Sequence, residues 1–251
     1  MRPPARRRAR QVAQETPVAR VAPGAGRSTW LFDLDNTLHN ASASVFGDAN
    51  LRMTSYNVEH LGVDRAVADD LRRRYWQRYG ATLLGLVRHH GVHAPHFLHQ
   101  THLLPGLEDR VHGHRHDFAA LARLPGRRVV LTNAPAAYTA RVLGALGIGH
   151  LFHAVVTIED MRMFGHWRPK PDTRMFRRLL ARLRVPATRC VLVEDTLDHQ
   201  KAARSLGLGT VWMQRWTRRA GWGVAAATRV SRRPAYVDRR ITRLGALTRA
   251  R

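Results

Sequence analysis

Two aspartates stand two residues apart where a short apolar run ends, and a hydroxyl follows two residues later: Asp33-Leu34-Asp35-Asn36-Thr37, after Trp30-Leu31-Phe32. Carboxylates held that close repel each other unless a cation lies between them or one keeps its proton. Chemistry that moves phosphate uses both devices, a metal-bound nucleophile and a proton donor. Alone, the pattern fits equally a strand that ends in an Asx-turn, with Asp35 capping the next segment.

Three further segments bear on the choice. Leu131-Thr132-Asn133-Ala134 ends an apolar run in a hydroxyl and an amide, and Val193-Glu194-Asp195-Thr196 ends another in two acids. Lys170-Pro171-Asp172 precedes a helical pattern. Of 42 basic residues only Lys170 and Lys201 are lysines. A lysine in so arginine-biased a chain points to a place where a compact ammonium serves and a planar guanidinium does not. Lys201 is expected on the surface.

The elements that must position these residues alternate. Apolar runs at 30–35, 128–133, 154–160, 190–195 and 209–213 are short and rich in β-formers, as buried parallel strands are. Helical patterns cover 136–146, stopped by Gly147, then 173–183, opened by Pro171-Asp172-Thr173, and 199–206, ended by Gly207. This alternation predicts an α/β fold with a doubly wound parallel sheet, whose ligands lie beyond the carboxyl ends of the strands. Those ends carry Asp33 and Asp35, Thr132 and Asn133, and Glu194 and Asp195. Residues 39–124 lack strand signals and hold helical stretches near 45–61, 65–79 and 117–124, which reads as an inserted helical cap. The expected organisation is therefore a basic tail (1–28), a core (29–38 and 125–214), the cap (39–124) and a basic extension (215–251) with a short edge strand at Pro234-Ala235-Tyr236-Val237.

Over about residues 29–214 the four motifs, in this order, resemble those of the haloacid dehalogenase-like (HAD) hydrolase superfamily. The resemblance implies a Rossmann-like core and a Mg²⁺-dependent hydrolase. It implies that Asp33 attacks phosphorus, that Asp35 protonates the leaving group and then activates water, and that Thr132 and Lys170 bind the phosphoryl group. Mg²⁺ would be held by Asp33, the Asp35 backbone carbonyl and Asp195, with Glu194 acting through water; Asp198 is a further candidate. Dehalogenases of the superfamily lack the acid found here at Asp35, and its ion pumps carry Thr there. Its phosphonate-cleaving members use a cap lysine, yet residues 39–124 contain none. Phosphatase or phosphomutase chemistry is left.

Tyr79-Gly80-Ala81-Thr82-Leu83-Leu84-Gly85-Leu86 is similar to a cap pattern of the pyrimidine 5′-nucleotidase branch, although Glu194 stands where that branch often has Asp. On this resemblance the substrate is a nucleoside monophosphate, with Arg78, Tyr79 and Asn133 as contacts. Tyr75 and Tyr79, four apart, also fit an ordinary helix core stripe. A phosphosugar phosphatase or mutase is the alternative enzyme. His93, His96, His99 and His102, with His112, His114 and His116, read as a titrating surface rather than a zinc site, because no cysteine accompanies them.

The net charge of +24 sits largely in the tails: residues 1–28 hold seven Arg and one Glu, and residues 215–251 hold eleven Arg and one Asp. The first tail has too little apolar content to fold and is expected to be disordered. Such tails can hold nucleic acid non-specifically through phosphate, and a nucleic-acid-associated protein is the reading from another class. No apolar run is long enough to span a bilayer. The single cysteine, Cys190, excludes an internal disulfide. A soluble, cytoplasmic protein is expected.

Overall fold

Successive residues of each short strand face opposite sides of a sheet, and that period of two organises the core. The computed structural model describes residues 28–216 and 233–248. The expectations for residues 1–27, 217–232 and 249–251, including the disordered tail, lie outside the described residues.

Six strands form one parallel sheet: β1 (Thr29–Phe32), β2 (Arg127–Leu131), β3 (Ala154–Val156), β6 (Cys190–Glu194), β7 (Gly209–Met213) and β8 (Arg239–Ile241), in the order β3-β2-β1-β6-β7-β8. A separate two-stranded hairpin joins β4 (Arg162–Met163) to β5 (His166–Trp167). The order reverses direction at β1, whose neighbours are β2 and β6. The three site-bearing strands are thus adjacent, and their carboxyl ends open on one crevice.

Leu31, Val129, Leu131 and Leu192 face one side, with Met175, Phe176, Leu179 and Leu183 of α9 (Thr173–Leu183). Each such fully buried side chain contributes roughly 1.5–3 kcal/mol. Phe32, Val130, Val193 and Val211 face the other side, where α8 (Ala136–Ala145) brings Tyr138 and Val142. The remaining core helix, α10 (Leu197–Arg204), buries Ala203 on the first face.

Between β1 and β2 run α1 (Ala41–Ser44), α2 (Phe46–Leu61), α3 (Arg65–Tyr79), α4 (Thr82–His90), α5 (Ala94–His102), α6 (Leu107–Arg110) and α7 (Arg115–Arg123). Helices α2 to α5 share their own apolar cluster, centred on Tyr56, Leu71, Tyr75, Leu86 and Phe97. Gly85 lets α4 press on the Tyr75 ring; a Cβ there would lie 2.1 Å from the ring's Cγ.

Four expectations need correction. The helix expected at 117–124 does not pack with α2 to α5, because its apolar face (Phe118, Leu121) joins the sheet cluster. The run 154–160 is strand only to Val156, since Thr157 and Asp160 form a capping box that turns the chain into a 3-10 helix. The edge strand lies at Arg239–Ile241 rather than 234–237, where the Val237 N–H closes a turn on the Pro234 carbonyl. The histidine series is not one surface: His102 packs against Tyr138, and His96 bonds Tyr56. No helix among the described residues is long and apolar enough to cross a membrane.

Candidate active site

The end of β1 delivers Asp33 and Asp35, and the turn beyond it is closed by Asn36 in the left-handed region (φ 57°). Asparagine tolerates that conformation. Here its side chain exchanges hydrogen bonds with Ser42, accepting from the backbone N–H at 3.0 Å and donating to Oγ at 2.8 Å. The fold-back brings His39 beside Asp35.

Lys170 reaches this point from the loop before α9. Its ammonium lies 2.7 Å from Asp33 Oδ1 and 2.6 Å from Glu194 Oε2, and its side chain is 1% exposed. The loop is gripped by Asn133, whose Nδ2 donates to the Lys170 carbonyl and whose Oδ1 accepts from the Lys170 N–H, both at 2.9 Å. Both amide atoms of Asn133, an expected substrate contact, are thus engaged with the lysine backbone. Thr132 Oγ1 accepts from the Ala134 N–H at 3.0 Å, so its hydroxyl proton is left to donate.

At the end of β6, the Glu194 backbone carbonyl accepts from Gln200 and the Asp195 carbonyl from the Trp212 indole, both at 2.9 Å. These bonds fix the two acids. One oxygen from each of Asp33, Glu194 and Asp195 falls within 4.8 Å of the others. Asp198 stands exposed in the first turn of α10, outside that group, and Lys201 is exposed as expected.

Three buried carboxylates face one ammonium, and the acids respond differently. Burial pushes the Asp33 carboxyl up to about 7, with Glu194 adding to the rise and Lys170 opposing it. Burial, then Glu194 and Asp33, raise Asp195 well above the usual carboxylate range. Burial also works against the Glu194 anion, but Lys170 and His199 outweigh it and hold that carboxyl well below the ordinary value. Burial disfavours the Lys170 ammonium too, yet Asp33 and Glu194 together keep it protonated. The surplus of buried anionic oxygen is what a hard divalent cation compensates, so these residues fit a metal centre.

The expected substrate contacts on the helical insert face other partners. The Tyr79 hydroxyl meets His89 Nε2 at 2.6 Å, and the Arg78 guanidinium stands 5.6 Å over the Tyr79 ring. Their neighbour Gly80 touches the site loop: a Cβ there would lie 2.8 Å from Pro171 Cδ. Tyr75 is buried in the insert's core, as the stripe reading held.

Sequence reasoning missed four residues here. Tyr138 donates to Asp35 Oδ1 at 2.7 Å, and His39 Nε2 lies 2.8 Å from the same oxygen. His199 Nδ1 lies 3.0 Å from Glu194 Oε2. The His102 ring packs edge-on against Tyr138 at 5.7 Å. Each has a local signal, being a titrating or hydroxyl side chain within about six residues of a motif or at the end of an insert helix. None of those signals says where the side chain points.

A sequence profile of the haloacid dehalogenase-like hydrolases matches residues 28–207. The chain belongs to that family. Among solved structures, a HAD-like hydrolase from Bacteroides fragilis superposes with a TM-score of 0.59 at 17% identity, covering 88% of this chain and 100% of that one. A HAD phosphatase from Thermococcus onnurineus gives 0.57 at 18% identity over 88% and 95%. CbbY from Rhodobacter sphaeroides, solved with phosphate, gives 0.55 at 20% identity over 89% and 97%. At these identities the likeness is one of HAD fold.

Proposed function

We propose that this HAD hydrolase is a Mg²⁺-dependent phosphomonoester hydrolase whose substrate is a pyrimidine nucleoside 5′-monophosphate. The observation that carries the hydrolase reading is the buried bridge of Lys170 between Asp33 and Glu194, with Asp195 in the same group of oxygens. A phosphate monoester is an anion that repels nucleophiles, so such a site must neutralise and orient it.

In this reading an Asp33 oxygen attacks phosphorus while the ester P–O bond breaks, and Asp35 gives its proton to the departing alkoxide. Water then attacks the aspartyl-phosphate, passes a proton to the Asp35 carboxylate, and releases phosphate with Asp33 regenerated. Lys170 and the Thr132 hydroxyl bind the phosphoryl oxygens. Asp33 and Asp195 carboxylates and the Asp35 carbonyl would hold Mg²⁺, with Glu194 one step back. The cation supplies charge neutralisation to both acids and phosphoryl group.

The nucleotide assignment rests on the likeness of 79–86 to the nucleotidase cap pattern, in a helical insert whose Gly80 lies against the Lys170 loop. Phosphate release from a panel of nucleoside and sugar monophosphates tests it. UMP and CMP should rank first, with activity lost in Asp33→Asn. Sugar phosphates at the head of the ranking would replace the nucleotidase reading with a phosphosugar phosphatase. No turnover of any monoester would remove the hydrolase reading.

A further inference from the structure

Asp35 is the proton carrier of the proposed reaction, yet a carboxylic acid has two oxygens and only one can face the leaving group. Two side chains from distant segments converge on the same one. Tyr138, in the first turns of α8, donates its hydroxyl to Asp35 Oδ1 at 2.7 Å. His39, from the fold-back after β1, sets Nε2 2.8 Å from that oxygen. Both partners are enclosed, His39 at 0% and Tyr138 at 2% exposure, whereas the Asp35 side chain keeps 22%. No hydrogen bond among the described residues falls on Asp35 Oδ2.

We propose that His39 and Tyr138 are positioning residues that reserve Asp35 Oδ1 as an acceptor, so that the transferable proton resides on Oδ2 and faces the leaving-group oxygen. The chemistry comes from donor counts. With a hydroxyl and an imidazole N–H directed at it, Oδ1 has no place for a proton of its own. His39 Nδ1 is buried with no hydrogen-bond partner. A bare lone pair there is consistent with the tautomer whose proton is on Nε2, pointed at Asp35. The carboxyl plane is also fixed by two bonds of different origin, one to its own turn and one to the helix that follows the Thr132 strand. Such fixing matters because a proton must be delivered within hydrogen-bond reach and along the breaking bond.

The inference rests on the hydrolase reading above, and the test separates the two. Protonation by Asp35 is needed when an alkoxide leaves and hardly at all when p-nitrophenolate leaves. Single-turnover release of the leaving group, measured with a nucleoside or simple alkyl monophosphate and with p-nitrophenyl phosphate, isolates the first step from hydrolysis of the intermediate. Tyr138→Phe and His39→Leu should slow alkyl ester cleavage by about 10- to 100-fold and p-nitrophenyl phosphate cleavage by less than about 3-fold. KM should stay near the wild-type value, and His39→Gln, which restores an N–H near the Nε2 position, should recover much of the loss. A purely structural role would slow both esters alike. Equal slowing of the two esters, or none of either, would overturn the proposal while leaving the hydrolase reading intact. A wild-type chain that cleaves neither ester would overturn both. If the His39 variants do not fold, Tyr138→Phe, which conserves ring and volume, decides alone.

Discussion

Glu194 and Lys170 meet at 2.6 Å, carboxylate oxygen to ammonium, with each side chain 1% exposed. An ion pair so enclosed is costly to halve, because the partner left behind is a bare buried charge. Lys170→Met should therefore destabilise the fold by about 3–5 kcal/mol in chemical denaturation and lower kcat by 10³-fold or more, to judge from the loss of a charge that stabilises the transition state. Lys170→Arg should fail almost as badly. The slot holds one compact cation between Asp33 and Glu194, and a planar fork does not fit between two oxygens both within 2.7 Å of one nitrogen. An arginine variant within about tenfold of wild-type kcat would show that the site needs only positive charge.

Cation binding should depend on pH in a direction the acids fix. Burial raises Asp33 to about 7 and Asp195 well above the usual range. Between about pH 4 and 7 the folded chain thus holds protons that the unfolded chain has released. The contribution of these two acids to the stability of the cation-free protein should fall as pH rises through that window. A divalent cation replaces those protons, so its effect should be small at pH 5 and large at pH 8. With Mg²⁺ at on the order of 100 Kd, thermal unfolding at pH 8 should shift upward by roughly 5–10 °C. Equal shifts at the two pH values would mean that Asp33 and Asp195 are not the groups displaced.

The frame of the candidate site was legible in sequence because it is built at strand ends. Asp33, Thr132, Glu194 and Asp195 each close an apolar run, and a parallel sheet carries such ends to one edge. Lys170 was legible for a different reason, as one of two lysines among so many arginines. What was hidden is what depends on side-chain direction. Tyr138 lies 103 residues from Asp35 in sequence, and nothing in α8's periodicity says that its hydroxyl turns toward β1. His39 is only four residues from Asp35, but the contact needs the left-handed Asn36. Helices α4 and α5 escaped because Gly85 and a dense run of histidines blur a helical pattern that packing against Tyr75 and Phe97 sustains. The hairpin from β4 to β5 depends on Phe164-Gly165, both at positive φ, where phenylalanine is not an expected turn residue.

His102 should mark acid unfolding. Burial pushes its imidazole down to about 4, although the Asp35 charge and the hydrogen bond to the Leu98 carbonyl partly oppose this. Below pH 6.5 the unfolded chain takes up a proton that the folded chain refuses, so this group's contribution to stability is lost as pH falls from about 6.5 to 4. At its steepest the loss is about 1.4 kcal/mol per pH unit. Urea unfolding at pH 4.5, 5.5 and 7 should show wild type losing stability relative to His102→Gln as pH falls, against the opposite trend set by Asp33 and Asp195. Parallel slopes would assign the acid sensitivity to other groups.

Gly80 lies where the helical insert meets the Lys170 loop, and a second glycine supplies the control. Gly80 ends α3 at φ 78°, and Gly62 ends α2 at φ 65°. Alanine at either position incurs the left-handed strain of about 1–2 kcal/mol. Their surroundings differ. A Cβ on Gly62 meets nothing within 4 Å, whereas one on Gly80 would lie 2.8 Å from Pro171 Cδ and 3.5 Å from the Lys170 carbonyl. To relieve that contact either the insert or the Lys170 loop must move, and Asn133 holds the loop through the same carbonyl. A displacement of about 1 Å at Nζ is enough to cost about 10²-fold in rate. Gly80→Ala should accordingly lower kcat by at least about tenfold, while Gly62→Ala loses comparable stability and keeps its kcat. Equal kcat in the two variants, with matched unfolding free energies, would mean that the insert yields and the lysine does not feel it.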